Sequence, residues 1–108
     1  FYFRDEVSYD EAAAAQFLKP EFADSLGAIV EGLAGVEDYS KKGIEEFLRT
    51  VAEERTTKLK FIAQPLRVAL TGKTVSPGID EVMITLGKKR VIDRLQRALA
   101  YIETNKGL

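Results

Sequence analysis

Apolar residues in this 108-residue chain recur at three- and four-residue intervals, and no strand-length stretch alternates apolar with polar residues. A period near 3.6 belongs to an amphipathic helix, so the chain must bury its apolar surface by packing helical stripes together. Phe22, Leu26, Ile29, Val30 and Leu33 form one such stripe, and Ile44, Phe47, Leu48, Val51 and Ala52 form another. Val91, Leu95, Ala98, Leu99 and Ile102 form a third, with Arg90, Arg94 and Arg97 expected in a stripe beside it.

Punctuating residues divide the helices. Ser8 and Glu11 have capping-box spacing, which predicts a first helix from about Tyr9 to Leu18. Pro20 stops that helix and opens a second to Ala34, with Gly35 just past its end. Ser40 is placed to cap a third, ending near Thr56 and Thr57. Leu59 to Thr71 reads as helix, with Pro65 either kinking or restarting it, and Gly72 supplies a left-handed end. Ser76 and Pro77 read as an N-cap and first helical residue of a helix to Leu86, and Gly87 separates it from the last. The expected fold is all-α, a compact bundle or cage of about six short helices. Phe17, Phe22, Phe47 and Phe61 have core spacing, and Phe1-Tyr2-Phe3 is either a linker end or an apolar anchor.

Several functions are excluded by composition. The chain has neither Cys nor His, which removes disulfides, thiolate metal sites and Ser-His or Cys-His catalysis. Glu45, Glu46, Glu53 and Glu54 read as a solvated helix face rather than a Mg²⁺ site. No apolar run is long enough to span a bilayer and there is no secretory signal, so a soluble cytoplasmic protein is expected. Phe1 opens the chain and Met83 is its sole methionine, which suggests a piece of a longer protein.

Charge is strongly polarised. Residues 1–54 hold 5 Lys and Arg against 13 Asp and Glu, whereas residues 55–108 hold 11 against 4. We therefore expect an acidic helical subdomain over 1–57 and a basic one over 58–108, the latter suited to a polyanion such as nucleic acid. Lys73, Lys88, Lys89, Arg90, Arg94 and Arg97 are its candidate phosphate contacts. Arg67 is the candidate reader, because a planar guanidinium both hydrogen-bonds a base edge and stacks on it.

Three segments carry a family resemblance: Gln64-Pro-Leu-Arg-Val-Ala-Leu-Thr-Gly72, Ser76-Pro-Gly-Ile79 and Leu86-Gly-Lys-Lys-Arg-Val-Ile-Asp-Arg94. Their order, spacing and residue types resemble the C-terminal anticodon-binding region of bacterial-type glutamyl-tRNA synthetases. The resemblance implies that Arg67, Ser76 and Ile79 face the anticodon of tRNA(Glu). The family often has Thr and Leu where this chain has Ser76 and Ile79, so the hydroxyl and the apolar contact are both kept. It also implies a monomeric class I ligase that uses ATP and Mg²⁺ to join glutamate to tRNA. The HIGH-like and KMSKS-like nucleotide-binding motifs are absent from these residues, so the catalytic domain would be a separate part of the same chain and this part inactive alone, without cofactor. Two other readings remain: a helical protein-interaction module using the acidic half, and a DNA-binding helix-turn-helix read by the last helix. The apolar register of that last helix argues against the second.

Overall fold

Residues 8–105 are described by a computed structural model, and six helices make up most of them. These are α1 (Glu11–Phe17), α2 (Pro20–Leu33), α3 (Lys41–Glu54), α4 (Leu59–Thr71), α5 (Ile79–Leu86) and α6 (Lys88–Asn105). The all-α expectation holds. The possible anchor at Phe1–Phe3 lies outside the described residues.

Local chemistry sets the helix ends. Pro20 occupies the first turn of α2, where a missing N–H costs nothing. Ser40 caps α3 by accepting a 3.3 Å hydrogen bond from the Gly43 N–H. The first helix departs from expectation: its cap is Asp10, whose carboxylate accepts from the Ala13 N–H at 3.0 Å. The fifth departs as well. Gly78 is its N-cap and it starts at Ile79, while the Ser76 hydroxyl donates to the Pro77 carbonyl at 2.8 Å and caps nothing.

The end of α3 carries backbone strain. Thr56 has φ 52°, and its N–H and that of Thr57 donate back to the Glu53 and Ala52 carbonyls at 3.1 and 3.0 Å. That bond pair is the Schellman closure, with a β-branched residue where glycine is usual. It turns the chain sharply from α3 into α4.

Pro65 neither breaks nor restarts α4, which runs uninterrupted with the proline ring buried in the core. Helix α4 packs against all five other helices, and α2 lies most extensively along α6. One cluster of buried residues spans the acidic and basic parts, including Leu26, Ile29, Leu48, Leu66, Leu70, Met83 and Leu95. Of the expected core phenylalanines, Phe17 and Phe47 pack half-buried against the core, Phe22 is half-buried with its ring 6.2 Å from that of Phe17, and Phe61 lies outside. It is 54% exposed, because burial of Ile62, Pro65, Leu66 and Ala69 turns its side of α4 outward.

The connection between α2 and α3 is clamped onto α5 and α6. Tyr39 donates its hydroxyl to the Met83 carbonyl at 2.6 Å, and the Lys88 ammonium donates to the Val36 carbonyl. Burial pushes the Tyr39 phenol up to about 12.

Candidate nucleic-acid interface

Helix α4 and the turn after it carry the candidate reading residues. Arg67 stands one turn beyond Gln64, and its Nη1 donates to the Gln64 Oε1 at 3.3 Å. Arg67 as a whole is partly exposed, while its Nε is enclosed without a hydrogen-bond partner. Gln64 thus holds one edge of the fork and leaves further donors for another acceptor.

The exit from α4 is closely hydrogen-bonded. Thr71 donates its hydroxyl to the Arg67 carbonyl at 2.8 Å and accepts from the Lys73 N–H at 3.2 Å. Gly72 takes φ 81°, a left-handed conformation that glycine adopts without a Cβ penalty. Its N–H donates to the Val68 carbonyl at 2.7 Å, and its carbonyl accepts from the Asp10 N–H at 2.8 Å. The segment before α1 is thereby tied to the end of α4.

From Gly72 the chain crosses to α5, which packs directly on α4. Ser76 and Pro77 are partly buried, Val75 beside them is 81% exposed, and Ile79 packs half-buried against the core. Beneath the turn lies Asp80, whose side chain is 13% exposed and stands 3.8 Å from the Lys41 ammonium. A Cβ on Gly78 would come within 2.8 Å of the Asp80 carboxylate, so the turn rests against that carboxylate.

The expected phosphate contacts separate into groups. Lys73, Lys89, Arg90 and Arg97 are exposed, with Arg97 also paired to Asp93 at 3.2 Å. Lys88 is half-buried in the clamp on Val36, with its ammonium 5.8 Å from the Tyr39 ring centre. Arg94 does not join the exposed stripe. It is 3% exposed and donates from Nη1 to the Leu70 carbonyl at 2.7 Å, so its guanidinium has no open path to a phosphate in this fold. The reason is register: Val91, Arg94, Leu95, Ala98 and Ile102 all lie on the buried face of α6.

Gln64 is the residue that sequence reasoning missed. Its place three residues before Arg67 was a readable signal, since side chains so spaced meet on a helix. Among the described residues, no group of three His, Cys, Asp or Glu side chains could hold a metal ion, and no helix is long and apolar enough to cross a membrane.

Comparison with known proteins bears on this arrangement. The family model for the anticodon binding domain matches residues 1–99. Glutamate–tRNA ligase 1 of Syntrophus aciditrophicus is 62% identical over 104 residues, covering 96% of this chain and 22% of that protein. The glutamate–tRNA ligase of Geotalea uraniireducens is 42% identical over 102 residues, covering 94% of this chain and again 22% of the relative. The chain thus spans about a fifth of the length of these relatives. A crystal structure of a glutamate tRNA ligase from Elizabethkingia meningosepticum, in complex with its amino acid, is similar with a TM-score of 0.84. That match covers 94% of this chain and 20% of the other, at 25% identity.

Proposed function

Because the chain belongs to the anticodon binding domain family, we propose that it reads the anticodon loop of tRNA(Glu) as one part of a glutamate–tRNA ligase. The observation that carries this reading is Arg67, a partly exposed residue on the central helix whose guanidinium is held by Gln64 at Nη1. Unpaired loop bases are recognised when planar side chains, hydroxyls and backbone groups receive them out of their stack. Arg67 supplies the plane and the donors, Ser76 a hydroxyl, and Ile79 an apolar contact. The exposed Lys73, Lys89, Arg90 and Arg97 neutralise backbone phosphates and fix the loop in register.

The remainder of the ligase would supply ATP and Mg²⁺ binding and the joining of glutamate to tRNA, as a class I enzyme acting as a cytoplasmic monomer. No step of that chemistry is assigned to the residues described here. Their contribution is selection: a loop seated correctly here would bring the far end of the tRNA into the active site, which turns binding into catalytic specificity.

Fluorescence anisotropy with a labelled tRNA(Glu) anticodon stem-loop and base-substituted versions tests the proposal. Arg67→Ala should weaken cognate binding by about 1–3 kcal/mol and narrow the gap to substituted loops. Identical affinities of Arg67→Ala and the unchanged chain for every loop would remove Arg67 from the reading set.

A further inference from the structure

We propose that Arg94 is a positioning residue for anticodon reading, setting Arg67 and the following turn from inside the α4–α6 interface. The inference rests on the function proposed above and deepens it.

A buried guanidinium is an expensive way to fill a helix interface. Its neighbours in the stripe, Val91, Leu95, Ala98 and Ile102, are apolar and at most 3% exposed, so an aliphatic side chain would continue the pattern. Desolvating a cation costs free energy that only strong, well-aligned hydrogen bonds offset. Arg94 makes such a bond at 2.7 Å to the Leu70 carbonyl.

The acceptor's position explains the choice. Leu70 is the penultimate residue of α4, so its carbonyl lacks the partner that a longer helix would provide. A cation there also opposes the partial negative charge at the helix C-terminus. Leu70 lies three residues beyond Arg67, so both are on adjacent turns of the same helix. Two further bonds fix that end: Thr71 holds the Arg67 carbonyl, and the Asp10 N–H holds that of Gly72. Carbonyls 67, 70 and 72 are thereby pinned in succession, with the middle one held from α6. Without Arg94 the last turn of α4 would keep its helical bonds and the Asp10 tie at Gly72 but lose its hold on α6. Arg67 and the start of the turn would then sample a range of placements. Recognition groups tolerate displacements of only about half an ångström before contacts are lost.

Arg94→Lys and Arg94→Gln separate this role from simple stabilisation. Lysine keeps the charge and glutamine keeps a donor, but neither reproduces the guanidinium's reach. Each variant and the unchanged chain are titrated with the cognate anticodon stem-loop and a base-substituted loop across a salt series, at a temperature where circular dichroism shows all proteins folded. Ile102→Val, a core truncation on α6 away from the end of α4, serves as control.

The expected result is a roughly tenfold fall in the cognate-to-substituted affinity ratio for both Arg94 variants. The ratio should stay unchanged for Ile102→Val, and all salt slopes should be equal. An unchanged ratio in both Arg94 variants, with the parent chain discriminating, overturns the positioning role alone. A salt slope shallower by about 0.7 overturns it in favour of a direct phosphate contact. A parent chain that fails to discriminate overturns the anticodon reading itself, and this inference falls with it.

Discussion

Replacing Thr56 with glycine should stabilise the protein, although it deletes a side chain. Thr56 sits at φ 52° on the exposed surface between α3 and α4, where the Schellman closure demands a left-handed residue. For an L-residue that conformation costs about 1–2 kcal/mol, and for glycine almost nothing. Against this gain stands the larger conformational freedom of glycine in the unfolded chain, worth about 0.5–1 kcal/mol. An exposed threonine forfeits little burial on truncation, so the net gain centres on roughly 0.75 kcal/mol. For a domain of this size that corresponds to about 2–8 °C in melting temperature.

Urea denaturation followed by circular dichroism reads the effect directly: the midpoint should rise with an unchanged slope. Thr56→Asn should lie between the two, since Asn tolerates left-handed geometry better than a β-branched residue. Thr56→Val should show no gain. A Thr56→Gly midpoint below that of the unchanged chain would refute the reasoning, because it would mean that the threonine side chain stabilises the turn by more than its backbone strains it.

Two other perturbations test the framework under the candidate site. A Cβ at Gly43 would lie 1.9 Å from the Asp38 carbonyl oxygen, so Gly43→Ala should cost more than about 2 kcal/mol, seen as a lowered melting temperature; an unchanged melt would deny the contact. Tyr39 has its folded pKa raised from 10.0 to about 12 by burial, so the stability it lends is complete below pH 10 and is lost as pH rises toward 12. Urea midpoints of the unchanged chain should therefore fall more steeply over that window than those of Tyr39→Phe, which should already be about 1 kcal/mol less stable at neutral pH through loss of the bond to Met83.

What could be read from the sequence was whatever periodicity and punctuation record. The stripes in α2, α3 and α6, Pro20 at a helix start, the Ser40 cap and the glycines at 72 and 87 are local signals, and the structure follows them. The departures arise where a distant contact decides. Ser8 and Asp10 are both good cap residues. Asp10 takes the role in the stretch where its own N–H is tied to Gly72, sixty-two residues away, and no local window records that tie. Ser76 has the chemistry of a cap, but the helix begins only at Ile79, beyond Pro77 and Gly78.

Arg94 and Phe61 show a different limit. Charge alone points Arg94 outward, although it lies three residues from Val91, four from Ala98 and eight from Ile102, all on the buried face. Hydrophobicity alone points Phe61 inward, although Ile62, Pro65, Leu66 and Ala69 already fill the buried side of α4. In both cases register outweighed residue type: a helix has one inward direction, set by the majority of its side chains, and a minority residue is carried wherever its position falls. The charge division at mid-chain is legible, and so is one compact helical bundle; the apolar stripes of both halves meet in a single core.

That shared core bears on how recognition would operate. A reading group on a free loop can adapt to a wrong base, and its selectivity is correspondingly low. Arg67 instead stands on α4, which touches all five other helices and is held near its end by the Arg94 bond to Leu70, so with both in place shifting it far enough to accommodate a misfit would disturb close packing. The turn from Gly72 to Gly78 is less regular, yet it too rests on fixed groups, the Asp80 carboxylate at one end and the Asp10 amide at the other. A base that failed to fit there would lose contacts without recovering them by rearrangement. On the proposed function, selectivity would come from the rigidity of the scaffold, and the exposed cations would contribute affinity that is indifferent to sequence.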